Sequence, residues 1–202
     1  MVLLGIILAL LMLVAPRPAA ASDTTLSGVE GHRRERFPLR VWMQPAGDAA
    51  LDAVMRRALE DWNALVREAL GVGAFVVAPR EEAQVRVYLE PATTSELMGV
   101  TYLHTDDTAV IQVPVSITVV EPTARGQTSR ETVLYQVLAH ELGHALGLAH
   151  VRDPRSLMCC EPGAVDLRDP AVREAYVAAR RRPDLQSVRA QLVDHYTRFW
   201  RR

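Results

Sequence analysis

Residues 140–150 combine side-chain types and a spacing that suit metal-assisted hydrolysis: His140-Glu141-Leu142-Gly143-His144-Ala145-Leu146-Gly147-Leu148-Ala149-His150. On a helix, a step of four residues sets His140 and His144 one turn apart on the same face, where both imidazoles reach one cation. Glu141 follows the first of them and can lie beside a water at that cation without ligating it. Gly147 can take a positive φ, which ends the helix and swings the chain back. His150 then supplies a third nitrogen from outside the helix. Three neutral histidines leave a fourth position open for water, the arrangement of a catalytic zinc site rather than a closed structural one. In such a site the metal polarises a carbonyl and acidifies water. Glu141 takes the water proton as general base and returns it to the leaving group.

This run needs a helix beneath it, and the flanking pattern supplies one. Thr128 and Glu131 read as a capping box, and Val133, Leu134, Val137, Leu138, Leu142, Ala145 and Leu146 form a broad apolar stripe. Upstream, Leu51, Val54, Met55, Ala58, Leu59, Trp62, Leu65 and Val66 recur at steps of three and four. They predict an amphipathic helix over 51–70, closed by Gly71 and Gly73. Short β-prone runs stand at 40–43, 85–89 and 100–103, and another at 110–115. Pro114 cannot donate a ladder hydrogen bond, so the last of these reads as a sheet edge or the end of a strand. Beyond the histidines, Asp169-Pro170 opens a helix over 171–182 that Pro183 stops. Residues 184–200 then place Leu185, Val188, Leu192, Tyr196 and Phe199 on one stripe. Interleaved strands and helices predict an α+β fold.

The run at 140–150 resembles the zinc signature of the metzincin clan of metallopeptidases, and Ser156-Leu157-Met158 resembles that clan's methionine turn. Met158 lies eight residues beyond His150, the interval of the matrixin branch. Residues 38–42, Glu60-Asp61-Trp62-Asn63, Val85-Arg86-Val87 and Met98-Gly99-Val100-Thr101 are also similar to small bacterial matrixin-type domains, so the resemblance spans about residues 37–158. It implies a metzincin-like zincin fold: a twisted mixed β-sheet, an active-site helix, and a C-terminal helix packed behind the sheet. It implies one catalytic Zn2+ on His140, His144 and His150, with Glu141 as the catalytic base and Met158 as a floor beneath the imidazoles. A peptide or protein substrate would lie as an added strand along an edge, placed by position at 108–115. Cys159-Cys160 replaces the family's usual Tyr-Pro, which unsettles the wall of the pocket after the scissile bond. Two thiols there can oxidise, join another chain or compete for zinc, or serve as small buried hydrophobes. The family's additional metals have less behind them. His104-Thr105-Asp106 lacks the further histidines of a structural zinc site and reads as a polar turn. Calcium at Asp106-Asp107 would rest on two adjacent carboxylates without a coordination loop.

The rest of the chain bounds these readings. Its 202 residues fit one domain at 37–202, with a helical extension from about 169. With 23 basic and 24 acidic residues the net charge is −1, which argues against a nucleic-acid-binding stripe. Two adjacent cysteines exclude a disulfide scaffold. The apolar run at 2–15 is short for a membrane span and, with Ala19-Ala20-Ala21 after it, reads as a signal peptide at 1–21. Export to the periplasm or the medium is expected, and an uncleaved anchor is the alternative. The short segment 22–36 holds no cysteine to mask the metal. Residues 180–202 carry seven Arg against Asp184 and Asp194. That face reads as solvated, with contact to an anionic membrane surface as the sharper alternative. His32 and His195 have no partners in sequence and are expected at the surface, and a monomer is expected. The whole predicts a zinc endopeptidase. A zinc hydrolase of non-peptide amides and a zinc-dependent binding protein without turnover are the alternatives, and Glu141 weighs against the second.

Overall fold

Val41, Val85, Val87, Val115, Ile117 and Val119 alternate with more exposed neighbours, and their side chains are buried on one face of a sheet. The computed structural model describes residues 26–91, 98–124, 126–160 and 163–202. The predicted leader at 1–21 lies outside them. Strands β1 (Leu39–Met43), β2 (Phe75–Val77), β3 (Val85–Glu90), β4 (Gly99–Tyr102) and β5 (Val115–Val120) form one sheet in the order β2-β1-β3-β5-β4. Neighbours run parallel except β4, which pairs antiparallel with β5 and ends the sheet. This is the α+β, mixed-sheet architecture expected of a metzincin.

Helix α1 (Ala49–Leu70) starts where the Asp48 carboxylate accepts from the amides of Ala50 and Leu51, and stops at Gly71 with φ of 73°. The predicted stripe is its buried face, Trp62 included. Helix α2 (Arg130–Ala145) packs between α1 on one side and β4 and β5 on the other. Ten of its sixteen residues are buried, which is why its apolar stripe is broad. Its N-cap is Ser129, accepting from the amide of Thr132. The capping box expected on Thr128 is therefore corrected by one residue.

The strand predicted at 110–115, along which the substrate edge of 108–115 was placed, is also corrected. Val110 and Ile111 form only isolated bridges, to Gly31 and Thr105, and the ladder begins at Val115, just past the donor-less Pro114. The strand so formed is internal to the sheet, and the antiparallel edge is β4. Strand β2 carries no alternation that marks it in sequence.

Helix α3 (Pro170–Arg181) opens on the Asp169 cap. A 3-10 turn (Leu185–Val188) leads into α4 (Arg189–Phe199), where a single helix over 184–200 was expected. Leu185, Val188, Leu192, Tyr196 and Phe199 are all buried, and α4 packs chiefly against α1 rather than behind the sheet. The apolar face is thereby spent on the core, leaving the Arg-bearing face outside. Among the described residues no helix is long and apolar enough to cross a membrane.

His32 and His195 are buried, not exposed as expected. The N-terminal segment crosses the end of α2, where His32 Nε2–H donates to Ala145 O at 2.8 Å. His195 on α4 packs edge-on to Tyr196 and stacks on Phe199.

Candidate metal centre

At the C-terminal end of α2, His140 and His144 project from one face, as their spacing dictates. The helix then ends on a tight turn in which the amides of Gly147 and Leu148 donate to His144 O and Gly143 O. Gly147 has φ of 87°, and a Cβ there would stand 2.2 Å from Glu30 O. Only glycine fits. The reversal brings His150 against the helix.

The three Nε2 atoms lie 3.0 Å (His140 to His144), 3.1 Å (His140 to His150) and 3.2 Å (His144 to His150) apart. Tetrahedral coordination at Zn–N of about 2.0–2.1 Å separates ligand nitrogens by roughly 3.3–3.4 Å, so the triangle is close to the size zinc requires. The opposite ring nitrogens fix the tautomers. His140 Nδ1–H donates to Leu157 O and His144 Nδ1–H to Leu148 O, both at 2.8 Å. Burial holds His140 down to about 4 and His144 to about 3, so both rings are neutral at pH 7. Their Nε2 atoms therefore meet as bare lone pairs, which repel one another unless a cation sits between them. The donor set and its geometry fit a zinc ion. Among the described residues these three side chains form the group able to hold a metal.

Glu141 is buried beside β4. Thr101 Oγ1 lies 2.7 Å from Glu141 Oε2, and its hydroxyl donates there, orienting the carboxylate. A Cβ at Gly99 would stand 2.8 Å from Glu141 Oε1, so the strand's glycine makes room for it. Met158 is fully buried, and a Cβ at Gly143 would stand 2.5 Å from its sulfur. The methionine thus occupies the space that glycine leaves beneath the His140–His144 turn. Trp62 Nε1–H donates to Ala139 O at 3.0 Å, tying α1 to the helix one residue before the first histidine.

Cys159 and Cys160 stand side by side with their sulfurs against each other, and neither belongs to the metal-capable group. At the second turn singled out in sequence, the Asp106 carboxylate accepts from Thr108, Val110 and Gln112. Its oxygens serve a turn, and nothing there supports calcium.

Sequence reasoning brought His140, Glu141, His144, His150 and Met158 to one place, and the structure gathers all five. It missed Thr101, since a lone Thr in a strand has no spacing signal. It missed Trp62 as a hydrogen-bond donor, having read it only as apolar stripe. The family model described as Matrixin matches residues 39–163. No curated protein matches the chain.

Proposed function

Since the chain belongs to the matrixin family, whose model covers more than half of it, we propose that it is a zinc-dependent endopeptidase. The observation that carries this reading is the convergence of three imidazole Nε2 atoms, within 3.2 Å of one another, beside a buried carboxylate. His140, His144 and His150 would hold the ion. Zinc bound there supplies Lewis acidity, polarising a carbonyl and bringing the ionisation of water towards neutral pH.

The protein's own contribution is orientation and proton handling. Glu141, fixed by Thr101, accepts the proton of the attacking water and delivers it to the departing amine nitrogen. Substrate backbone pairs along the free side of β4, the antiparallel edge nearest Glu141, as an added strand. The apolar run at 2–15 favours a site of action outside the cytoplasm, and the burial of the α4 stripe leaves that helix without an apolar face to lay on a membrane.

A peptide library incubated with zinc-loaded protein, scored for new termini by mass spectrometry, tests the reading against a Glu141→Ala variant. Cleavage by the parent that is lost in Glu141→Ala, with zinc still bound, is the expected result. Zinc bound by both with no peptide cut by either would overturn it in favour of a non-peptide amide substrate or a binding role.

A further inference from the structure

The tail beyond the family-matched residues meets the metal centre at successive peptide groups of the loop that carries His150 and Met158. Arg180 on α3 donates from Nη1 to Pro154 O at 3.1 Å and from Nη2 to Cys159 O at 2.5 Å. One planar guanidinium therefore braces both sides of the methionine turn. Ser187 Oγ accepts from the amide of Leu157 at 2.9 Å while its own hydroxyl donates to Asp184 O at 2.6 Å. Leu157 O is the acceptor that fixes the tautomer of His140. Gln191 on α4 donates from Nε2 to Ala149 O at 2.8 Å, on the peptide that links directly to His150. Tyr196 donates its hydroxyl to Leu146 O, 2.8 Å away, at the start of the same loop.

These contacts are not spread evenly. Three side chains of the tail, those of Arg180, Ser187 and Gln191, land on residues that adjoin a ligand, support a ligand's ring, or flank Met158. Within the loop, the Val151 amide donates to Met158 O at 3.1 Å, the Ser156 amide to Asp153 O at 3.0 Å and the Cys159 amide to Ser156 O at 3.2 Å, and the tail's side chains add to these. A direct partner of a ligating imidazole, as Leu157 O is to His140, is commonly worth about 10–100-fold in metal affinity, and the tail acts by holding the backbone that carries it.

We propose that residues 170–200 are a positioning arm for the metal centre: Arg180, Ser187 and Gln191 preset the loop so that His150 and His140 meet the ion already oriented. The inference rests on the reading of the three histidines as metal ligands. It adds that a segment outside the matched 39–163 sets how tightly and in what geometry they bind.

The test measures metal, not turnover. Zinc affinity of the full chain is read by competition with a chromophoric chelator, and ligand geometry by the visible absorption of the cobalt(II)-loaded protein. Ser187→Ala and Gln191→Leu are each expected to weaken zinc about 10-fold, Arg180→Met by up to about 100-fold, and Arg180→Lys by an intermediate amount because one carbonyl contact survives. The cobalt band should shift or broaden in the same order. Variants that lose thermal stability yet keep the parent's affinity and cobalt spectrum would reduce the arm to a packing role and overturn the inference. A parent that binds no zinc would instead overturn the functional reading itself. Should Arg180→Met fail to fold, Ser187→Ala decides, because Ser187 is exposed and its loss removes one hydroxyl.

Discussion

The turn at 104–112 and the loop at 144–150 both gather side chains of ligand type, yet they treat their lone pairs in opposite ways. Asp106 Oδ1 accepts from Thr108 N (2.9 Å), Thr108 Oγ1 (2.7 Å) and Val110 N (3.0 Å), and Oδ2 from Gln112 Nε2 (3.2 Å). The Thr108 hydroxyl foremost holds its carboxyl below the ordinary range, so the anion is stabilised by the chain alone. In the histidine cluster the outward nitrogens of His140 and His144 are taken up by carbonyls, and the inward ones converge on each other and on His150 Nε2. A metal site is marked by ligand atoms that converge on one point while the opposite side of each ring is held by a carbonyl. Density of ligand-type residues is a poorer guide.

The contrast breaks most sharply if His144 is removed. Loss of an outer partner costs a metal site about 10–100-fold, so loss of a ligand should exceed about 100-fold in zinc affinity. His144→Ala is therefore expected to bind no zinc at micromolar protein, as measured by chelator competition. Retention of near-parent affinity would place the ion elsewhere. His32 offers the next largest effect, because it is a buried histidine of the satisfied kind. Its Nε2–H donates to Ala145 O at 2.8 Å, and Arg36 Nη1 stands 3.5 Å from Nδ1. Burial first, then the nearby positive charge of Arg36 and the facing ring of His195, hold it down to about 4. Unfolded, it takes up a proton near 6.5. Acid therefore favours the unfolded chain: the contribution is complete above pH 6.5 and shrinks as pH falls towards 4. Between pH 6.5 and 5 the parent should lose about 2 kcal/mol that a His32→Asn variant does not lose. Urea unfolding of both proteins across that range checks it, and a pH-independent gap would show that His32 is not held neutral.

The same distinction explains what could be read in the sequence. Helices α1, α2 and α3 were legible because their stripes and caps are local, and the ligand set was legible because its spacing is fixed by one helix and one glycine turn. Strand β5 was displaced to 110–115 because Val110 and Ile111 are as β-prone as Ser116–Val120. Pairing with β3 and the missing Pro114 donor, both long-range facts, decide between them. His32 and His195 looked like surface residues since their burial depends on the N-terminal segment meeting α4, more than 160 residues away. Arg180, Ser187 and Gln191 were unreadable for the same reason: their partners are backbone carbonyls or amides, which leave no trace in residue type.

Thr101 tests the boundary between satisfied and unsatisfied groups within the site itself. Thr101→Val keeps the shape of the side chain and removes the hydroxyl that donates to Glu141 Oε2. A hydrogen bond to a charged group contributes about 1.5–3 kcal/mol, so kcat for peptide cleavage should fall about 10–100-fold. Zinc affinity should hold, and an equal fall in both would mean that Thr101 supports the ligands instead of the base. The smallest effect is expected at Asp106. Asp106→Ala strips the turn of its acceptor, and modest thermal destabilisation is the expected result. The turn lies apart from the histidine cluster, so zinc stoichiometry should stay at one and Kd within about 2-fold of the parent. Loss of a second bound metal in that variant, read by elemental analysis after dialysis against calcium and zinc, would show that four internal donors do not stop a carboxylate from recruiting a cation, and the comparison would fail at its quieter half.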